Sequence, residues 1–205
     1  MQILYGTTNQ AKLDFMKKIT APLGIDVIGL RDLNQPIPDV CEDGNSPLEN
    51  AKMKAEAYHK AFHIPVFSCD SGLYFDEVEE ALQPGLHVRR VNGKELSDEE
   101  MIEHYSKLAT KYNGRLTARY RNAIYFIAEE SVIFSCMDES LVSEPFIIAN
   151  KAHEKRVKGF PLDSLSVDFE TGEYYYDMGE KEAGKLAVEQ GLNDFWKTVL
   201  EKMKR

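Results

Sequence analysis

The chain has 205 residues, of which 43% are hydrophobic and 29% charged, and its formal net charge is −9. This composition is typical of a globular domain and excludes a disordered chain, while the negative charge argues against a general binder of nucleic acid or membrane surfaces. A nucleotide ligand stays compatible with it, because a divalent cation bridges acidic side chains to phosphates.

Cysteine usage and hydropathy predict a cytoplasmic protein. The three cysteines, Cys41, Cys69 and Cys136, are widely spaced and form no Cys-x-x-Cys pair, so a disulfide framework is not expected. The chain opens on an apolar strand pattern without a cationic leader, and no apolar run approaches the ~20 residues that span a bilayer. We therefore expect a reducing compartment and neither a membrane nor a nucleic-acid partner.

The first apolar strand leads into a turn and a helix whose N-terminus is suited to an anion. The helix is predicted over 10–20, after the turn Thr7-Thr8-Asn9. Backbone N–H groups and the helix dipole point to one spot there, and Lys12 adds a positive charge one turn in. Plain N-capping by Thr8 or Asn9 accounts for the same residues.

The next elements repeat the alternation of strand and helix. A second strand is predicted at Asp26–Gly29, and a loop rich in proline and glycine then carries Glu42. A capping box formed by Ser46 and Glu49, with proline at the first helical position, begins a helix that continues to about Phe62.

The stretch from 65 to 76 is an apolar run that ends at an acid, a hydroxyl and a glycine. Val66 and Phe67 predict a short buried strand. Asp70 then lies at its C-terminal end, where open α/β sheets collect ligands, and Gly72 permits a sharp turn. The carboxylate is placed to hold a metal or a water, although an ordinary Asp-Ser-Gly turn uses the same residue types.

The rest of the chain predicts two more helices and four strands. A second capping box at Ser97 begins a helix that ends at Asn113-Gly114, and the last helix is expected to break near Gly191 and restart from Asn193 as its N-cap. The strands are expected at 116–128, 131–137, 146–149 and 165–169. The apolar residues of the last helix expected to face the core are Leu192, Phe195, Trp196, Val199 and Met203.

Taken in order, four motifs resemble the inosine-triphosphate pyrophosphatase family, and the resemblance extends over nearly the whole chain. The motifs are Thr7-Thr8-Asn9-Gln10-Ala11-Lys12; Glu42-Asp43-Gly44 with Glu49-Asn50-Ala51; Cys69-Asp70-Ser71-Gly72-Leu73-Tyr74-Phe75-Asp76; and Gly159-Phe160-Pro161-Leu162-Asp163. Pro84-Gly85 and Arg90 match a further Pro-Gly element and the arginine that follows it.

This resemblance implies an α/β fold with a mixed, strongly bent central sheet flanked by helices. Two lobes would enclose a nucleotide cleft within a single domain over residues 1–205, in a homodimer. The implied activity is Mg²⁺-dependent hydrolysis of nucleoside triphosphates, above all of the non-standard purines ITP, XTP and dITP, to the monophosphate and pyrophosphate.

The resemblance also assigns roles to individual residues. Glu42 and Asp70 would hold the metal, and Asp70 would accept a proton from the attacking water, which is the carboxylate and metal chemistry that such a reaction needs. The substrate-binding residues implied in the same way are Thr7, Thr8, Asn9, Lys12, Ser71, Arg90, Phe160, Asp163 and Lys181.

The sequence departs from the family pattern at three places. Cys69 replaces the first acid of an Asp-Asp pair, Pro161 and Leu162 replace a Gly-Tyr pair, and a Ser-His-Arg element before the last helix is absent. Two alternatives follow: a non-catalytic nucleotide-binding or regulatory protein on the same fold, and a pyrophosphatase with altered base specificity. A phosphohydrolase that uses Asp70 as its nucleophile is a third, although the Asp-x-Asp pattern of that class is missing.

Overall fold

The computed structural model describes residues 1–178 and 186–204, without the side chains of 186 and 187. The helices of these residues are α1 (Gln10–Thr20), α2 (Pro47–Phe62), α3 (Asp98–Lys111) and α4 (Leu186–Met203). The strands are β1 (Gln2–Tyr5), β2 (Asp26–Gly29), β3 (Val66–Phe75), β4 (Arg90–Val91), β5 (Lys94–Glu95), β6 (Arg115–Glu129), β7 (Val132–Cys136), β8 (Phe146–Ala149) and β9 (Ser166–Asp168).

The chain divides into two compact units, and β3 and β6 contribute residues to both. The first unit comprises 1–71, 122–141 and 188–205, and the second comprises 72–121 and 142–187. Strand order in the first unit is β2-β1-β3-β6-β7, and in the second it is β3-β6-β8-β9, with β4 and β5 forming a separate hairpin.

In the first unit a mixed sheet is covered by helices on both faces. Strand β1 pairs in parallel with β2 and β3, whereas β6 and β7 are antiparallel. Side chains alternate between faces along a strand. Phe67 accordingly packs in one cluster with Leu13 of α1 and Trp196 of α4, while Val66 packs in another with Ala55 of α2. The predicted α/β class with a mixed sheet is thus confirmed, whereas the bend of the sheet and the nucleotide cleft stay predictions.

The second unit is organised on the antiparallel strands β6, β8 and β9 and on helix α3. Its core cluster includes Phe75, Tyr105, Leu116 and Leu165. The capping box predicted at Ser97 is present, because the Ser97 hydroxyl accepts from Glu100 N and the Glu100 carboxylate accepts from Ser97 N.

The structure corrects the prediction for β3. This strand continues through Asp70, Ser71 and Gly72 to Phe75, so the predicted turn after Asp70 is wrong. Gly72 has no positive φ. The apolar residues beyond it supply the reason, because Leu73 and Phe75 are buried in the core of the second unit and keep the strand extended.

The structure also corrects the last helix. α4 runs through Gly191 without a break, and Asn193 lies inside it. Trp196 and Val199 are fully buried as expected, but Met203 is 40% exposed. Gly191 is required by packing, because a Cβ there would run into the carbonyl oxygen of Ser140. Among the described residues, no helix has the length and apolar character needed to cross a membrane.

Candidate active site

A buried lysine joins the two acids that the sequence assigned to a metal. The ammonium of Lys54, on α2, lies 2.7 Å from Glu42 Oε2 and 3.0 Å from Asp70 Oδ1. Its side chain is only 11% exposed, whereas that of Glu42 is 44% exposed. The sequence analysis did not single out Lys54, although its position in a helix rich in small residues, after Asn50, was a usable signal.

The local sequence explains why these groups meet. Asn50 and Lys54 lie one turn apart and therefore share a face of α2. Alternation along β3 turns Asp70 toward that helix and away from α1 and α4. Ala51 and Ala55 are fully buried and allow the helix to lie close to the sheet. Together these features bring a lysine and an amide onto one carboxylate.

Asn50 links the acidic loop to the strand. Its Nδ2 donates to Asp70 Oδ2 at 3.1 Å, and its Oδ1 accepts from Gly44 N at 2.9 Å. A Cβ at Gly44 would meet Asn50 Oδ1 at 2.7 Å and Glu49 Cβ at 2.7 Å, so only glycine permits this approach. The loop that carries Glu42 is thereby held against the N-terminal part of α2.

The charge of Lys54 is kept despite its burial. Burial by itself lowers the pKa of a lysine, but the carboxylates of Asp70 and Glu42 outweigh it, and the pKa of Lys54 ends above its ordinary value. The group of three therefore contains one ammonium between two acceptors, and each oxygen of Asp70 has a donor of its own.

The residues predicted to bind phosphate gather at the N-terminus of α1. Asn9 caps the helix by accepting from Ala11 N at 3.0 Å and from Lys12 N at 3.3 Å. Thr7 Oγ1 accepts from Asn9 N at 3.2 Å. The side chain of Lys12 is exposed. The N-capping alternative is thus confirmed for Asn9, and the site for phosphate stays a prediction.

A small pocket at this helix end includes an arginine that sequence reasoning missed. Thr7, Thr8 and Asn9 line it together with Arg31 and Asp32. Arg31 is the second residue after β2, and β2 pairs in parallel with β1, so the segments that follow both strands begin at the same carboxyl end of the sheet. The position of Arg31 two residues after a predicted strand was the signal for it.

Ser71 is held by a residue of β6. Its hydroxyl donates to Asn122 Oδ1 at 2.6 Å, and Asn122 Nδ2 donates to the Leu141 carbonyl at 2.8 Å. Cys69 lies on the same face of β3, where it packs against the core near Tyr5. Burial is the main cause that raises the pKa of the Cys69 thiol to about 11. Cys69 therefore faces away from the helix that carries Lys54.

The other predicted site residues belong to the second unit or lie outside the described residues. Arg90 is exposed on β4, whereas the neighbouring Arg89 is held by Asp98 Oδ1 at 2.8 Å. Phe160 caps the start of the short helical turn Pro161–Ser164, and Asp163 lies within it. Pro161 and Leu162 of this turn are buried. Lys181 lies outside the described residues.

The donor chemistry at Glu42 and Asp70 fits Mg²⁺. Two carboxylates converge on one cationic group, and Mg²⁺ is commonly held by one or two carboxylates completed by waters and substrate phosphates. Within 1–178 and 186–204, no group of three or more histidine, cysteine, aspartate or glutamate residues is arranged to hold a metal.

Comparisons with known proteins point to one family. The model of the Ham1 family matches residues 3–145. A dITP/XTP pyrophosphatase from Oceanobacillus iheyensis is 36% identical over 106 residues, covering 52% of this chain and 53% of that protein. Another from Photobacterium profundum is 30% identical over 134 residues, covering 63% and 64%. The matched part spans about half to just under two thirds of these relatives.

Solved structures agree on the fold. A HAM1 protein from Coxiella burnetii gives a TM-score of 0.76 at 23% identity, covering 98% of this chain and 99% of that one. The Ham1 protein of Staphylococcus aureus gives 0.71 at 24% identity, covering 97% and 99%. At such identities the likeness shows the fold alone.

Proposed function

The chain belongs to the Ham1 family, and from this premise we propose that it hydrolyses nucleoside triphosphates to the monophosphate and pyrophosphate. The substrates proposed are the non-standard purines ITP, XTP and dITP. The names of the relatives support this, since they are dITP/XTP pyrophosphatases. The observation that carries the proposal is the convergence of Glu42, Lys54 and Asp70 on one point beside the sheet.

Asp70 acts as the general base in this proposal. A carboxylate that orients and deprotonates water must be held in one place. Asn50 supplies that constraint by donating to Asp70 Oδ2 at 3.1 Å, while Lys54 contacts the other oxygen, Oδ1, at 3.0 Å. Both donors come from one face of α2, so the strand and the helix fix the carboxylate together.

The N-terminus of α1 receives the phosphates in this proposal. Backbone N–H groups at a helix N-terminus and the helix dipole favour an anion. Thr8 and Asn9 line the pocket there, and Arg31 lines it as well. With Lys12 one turn into the helix, these groups would take up negative charge as pyrophosphate leaves.

Mg²⁺ is the proposed cofactor, held by Glu42 and Asp70. When bound, it would neutralise the polyphosphate charge that otherwise repels these two acids. Further parts of the proposal are substrate contacts by Thr7, Ser71, Arg90, Phe160, Asp163 and Lys181, one pyrophosphatase domain over residues 1–205, a homodimer and a cytoplasmic location.

The test is release of pyrophosphate from ITP, XTP, dITP and the four standard nucleoside triphosphates with Mg²⁺. We expect release from the first three, and loss of about 10²-fold or more in Asp70→Asn, because the base is gone. Asp26→Asn is the matched control, since it removes an exposed carboxylate of the edge strand β2.

Other outcomes separate the alternatives. Release from a shifted or broad set of triphosphates would mean that the chemistry is kept and the base preference is altered. Nucleotide-dependent thermal stabilisation without release from any substrate would establish the non-catalytic reading. Unchanged turnover by Asp70→Asn would refute the assignment of the base.

A further inference from the structure

Lys54 lies where a cation is expected. Its ammonium contacts Glu42 Oε2 at 2.7 Å and Asp70 Oδ1 at 3.0 Å, and it is nearly buried. The second oxygen of Asp70 accepts from Asn50 at 3.1 Å. Both oxygens of Asp70 therefore accept a hydrogen bond from a side chain of α2.

We propose that Lys54 is a built-in competitor of the divalent cation: its ammonium fills the position between Glu42 and Asp70, and a metal gains both carboxylates only when Lys54 leaves. The proposal deepens the proposed function at the same site and rests on it for the identity of the metal. It assigns to Lys54 a control over when the metal binds.

Electrostatic repulsion favours displacement of Lys54 by the divalent cation over binding of both to the same carboxylates. A carboxylate oxygen that contacted both an ammonium and a divalent cation would bring like charges within a few ångströms of each other in a poorly solvated place, where repulsion is strong. Without Lys54, Glu42 and Asp70 would face each other as two unneutralised anions, which is the arrangement that attracts a divalent cation.

The lysine stem permits such a move. Its four methylene groups are flexible, and its ammonium is a compact charge that suits phosphate as well as carboxylate. If the proposed substrate binds, its phosphates offer Lys54 a new anionic partner while the metal takes the carboxylates. Metal and nucleotide binding would then reinforce each other.

The test uses the metal alone. Mn²⁺ is titrated into the full chain, freed of metal and nucleotide, with free Mn²⁺ read by electron paramagnetic resonance. We expect Lys54→Gln to bind Mn²⁺ at least about tenfold more tightly than the unmodified chain, because the competing charge is removed. Equal or weaker binding by Lys54→Gln overturns the proposal.

Two controls define the site. Lys52→Gln removes the same charge from the same helix, but Lys52 is half exposed and lies 3.8 Å from Glu56, touching neither acid. Lys52→Gln should leave the affinity for Mn²⁺ unchanged. If it raised the affinity as much as Lys54→Gln does, the change in net charge alone would explain the effect, and the proposal would be overturned. The double variant Lys54→Gln with Glu42→Gln should lose the increase in Mn²⁺ affinity that Lys54→Gln causes. If the double variant still bound Mn²⁺ as tightly as Lys54→Gln, the metal would lie elsewhere, and the proposal would be overturned.

Thermal unfolding keeps the test valid if Lys54→Gln is unstable. A ligand that binds only the folded state raises Tm further the more tightly it binds, because the stabilisation grows with the logarithm of ligand concentration over Kd. Mn²⁺ should therefore raise the Tm of Lys54→Gln more than that of the unmodified chain at the same concentration, and an equal or smaller rise overturns the proposal. Neither readout uses turnover, so a failure of pyrophosphate release and a failure of Lys54 competition are told apart.

Discussion

The Ser71 hydroxyl donates its only hydrogen to Asn122 Oδ1 at 2.6 Å, and the Leu141 carbonyl decides this direction. Because Asn122 Nδ2 donates to that carbonyl at 2.8 Å, its Oδ1 must face Ser71. Ser71 can donate to a phosphate oxygen only by giving up Asn122. The bond between strands β3 and β6 thus sets the orientation of a proposed substrate contact.

Replacing Asn122 by leucine should destabilise the protein by about 1–3 kcal/mol, because the fully buried Leu141 loses the donor to its carbonyl. Urea unfolding measures the loss. Ser71→Ala keeps the bond between Asn122 and Leu141 and should cost less. Since both variants remove the same Ser71 bond, their effects should not add in the double variant; full additivity would show that the two side chains do not interact.

Gly191→Ala should destabilise the protein although alanine is the better helix former. Helix propensity alone predicts that alanine in place of glycine within a helix raises the free energy of unfolding by roughly 0.5–1 kcal/mol. The new Cβ would instead run into the carbonyl oxygen of Ser140, a backbone atom that cannot move aside cheaply. We expect a net loss of about 1–3 kcal/mol by urea unfolding.

A neighbour on the same helix provides the comparison. Gln190 is exposed, and Gln190→Ala should stay within about 0.5 kcal/mol of the unmodified chain, as surface substitutions usually do. If Gly191→Ala were the more stable of the two variants, close packing of α4 on Ser140 would be ruled out.

Cys69 should make stability depend on pH in the alkaline range. Burial, the main cause, raises the pKa of its thiol from 9.0 to about 11. The unfolded chain therefore loses the proton first. The contribution of the neutral thiol to stability is complete below pH 9.0 and is lost as the pH rises toward about 11.

The free energy of unfolding, followed by urea across that range, measures this effect. It should fall less steeply in Cys69→Ala than in the unmodified chain. Cys41→Ala, which changes an exposed cysteine, should follow the unmodified curve. Parallel curves for Cys69→Ala and the unmodified chain would contradict the buried, neutral thiol.

Asp98 should stabilise the second unit by joining two loops to α3. Its carboxylate accepts from Gly159 N at 2.9 Å and from Arg89 at 2.8 Å. The Gly159 amide first, and then Arg89, lower the pKa of Asp98 below its ordinary 3.8. The stabilisation is therefore present above pH 3.8 and is lost as the pH falls below it.

Asp98→Ala should lower the free energy of unfolding by about 1 kcal/mol at neutral pH, a modest figure because the pair with Arg89 is a third exposed. The difference from the unmodified chain should shrink in acid. Glu95→Gln, on the exposed hairpin strand β5, should change little. A difference that stayed constant from neutral pH to well below pH 3.8 would exclude the carboxylate as its source.

The sequence by itself determined the elements whose signals are local. The bounds of α1 and of β2 were predicted as observed, and Ser46 and Ser97 begin α2 and α3 as N-caps. Each rests on side chains that bond or pack within a turn or two of the backbone they define. The ordered motifs also determined the family and pointed to Asp70.

Only the tertiary structure decided which side chains meet. In the sequence, Lys54 is a charged residue among the alanines of α2, and only the packing of α2 on β3 brings it to Glu42 and Asp70. Asn122 and Ser71 are far apart in the chain and meet only because β6 lies beside β3. Gly191, a helix breaker by local propensity, lies inside α4, where a Cβ would run into the carbonyl oxygen of Ser140. Long-range packing energies outweigh local preferences at these points, and they are not visible in the order of residues.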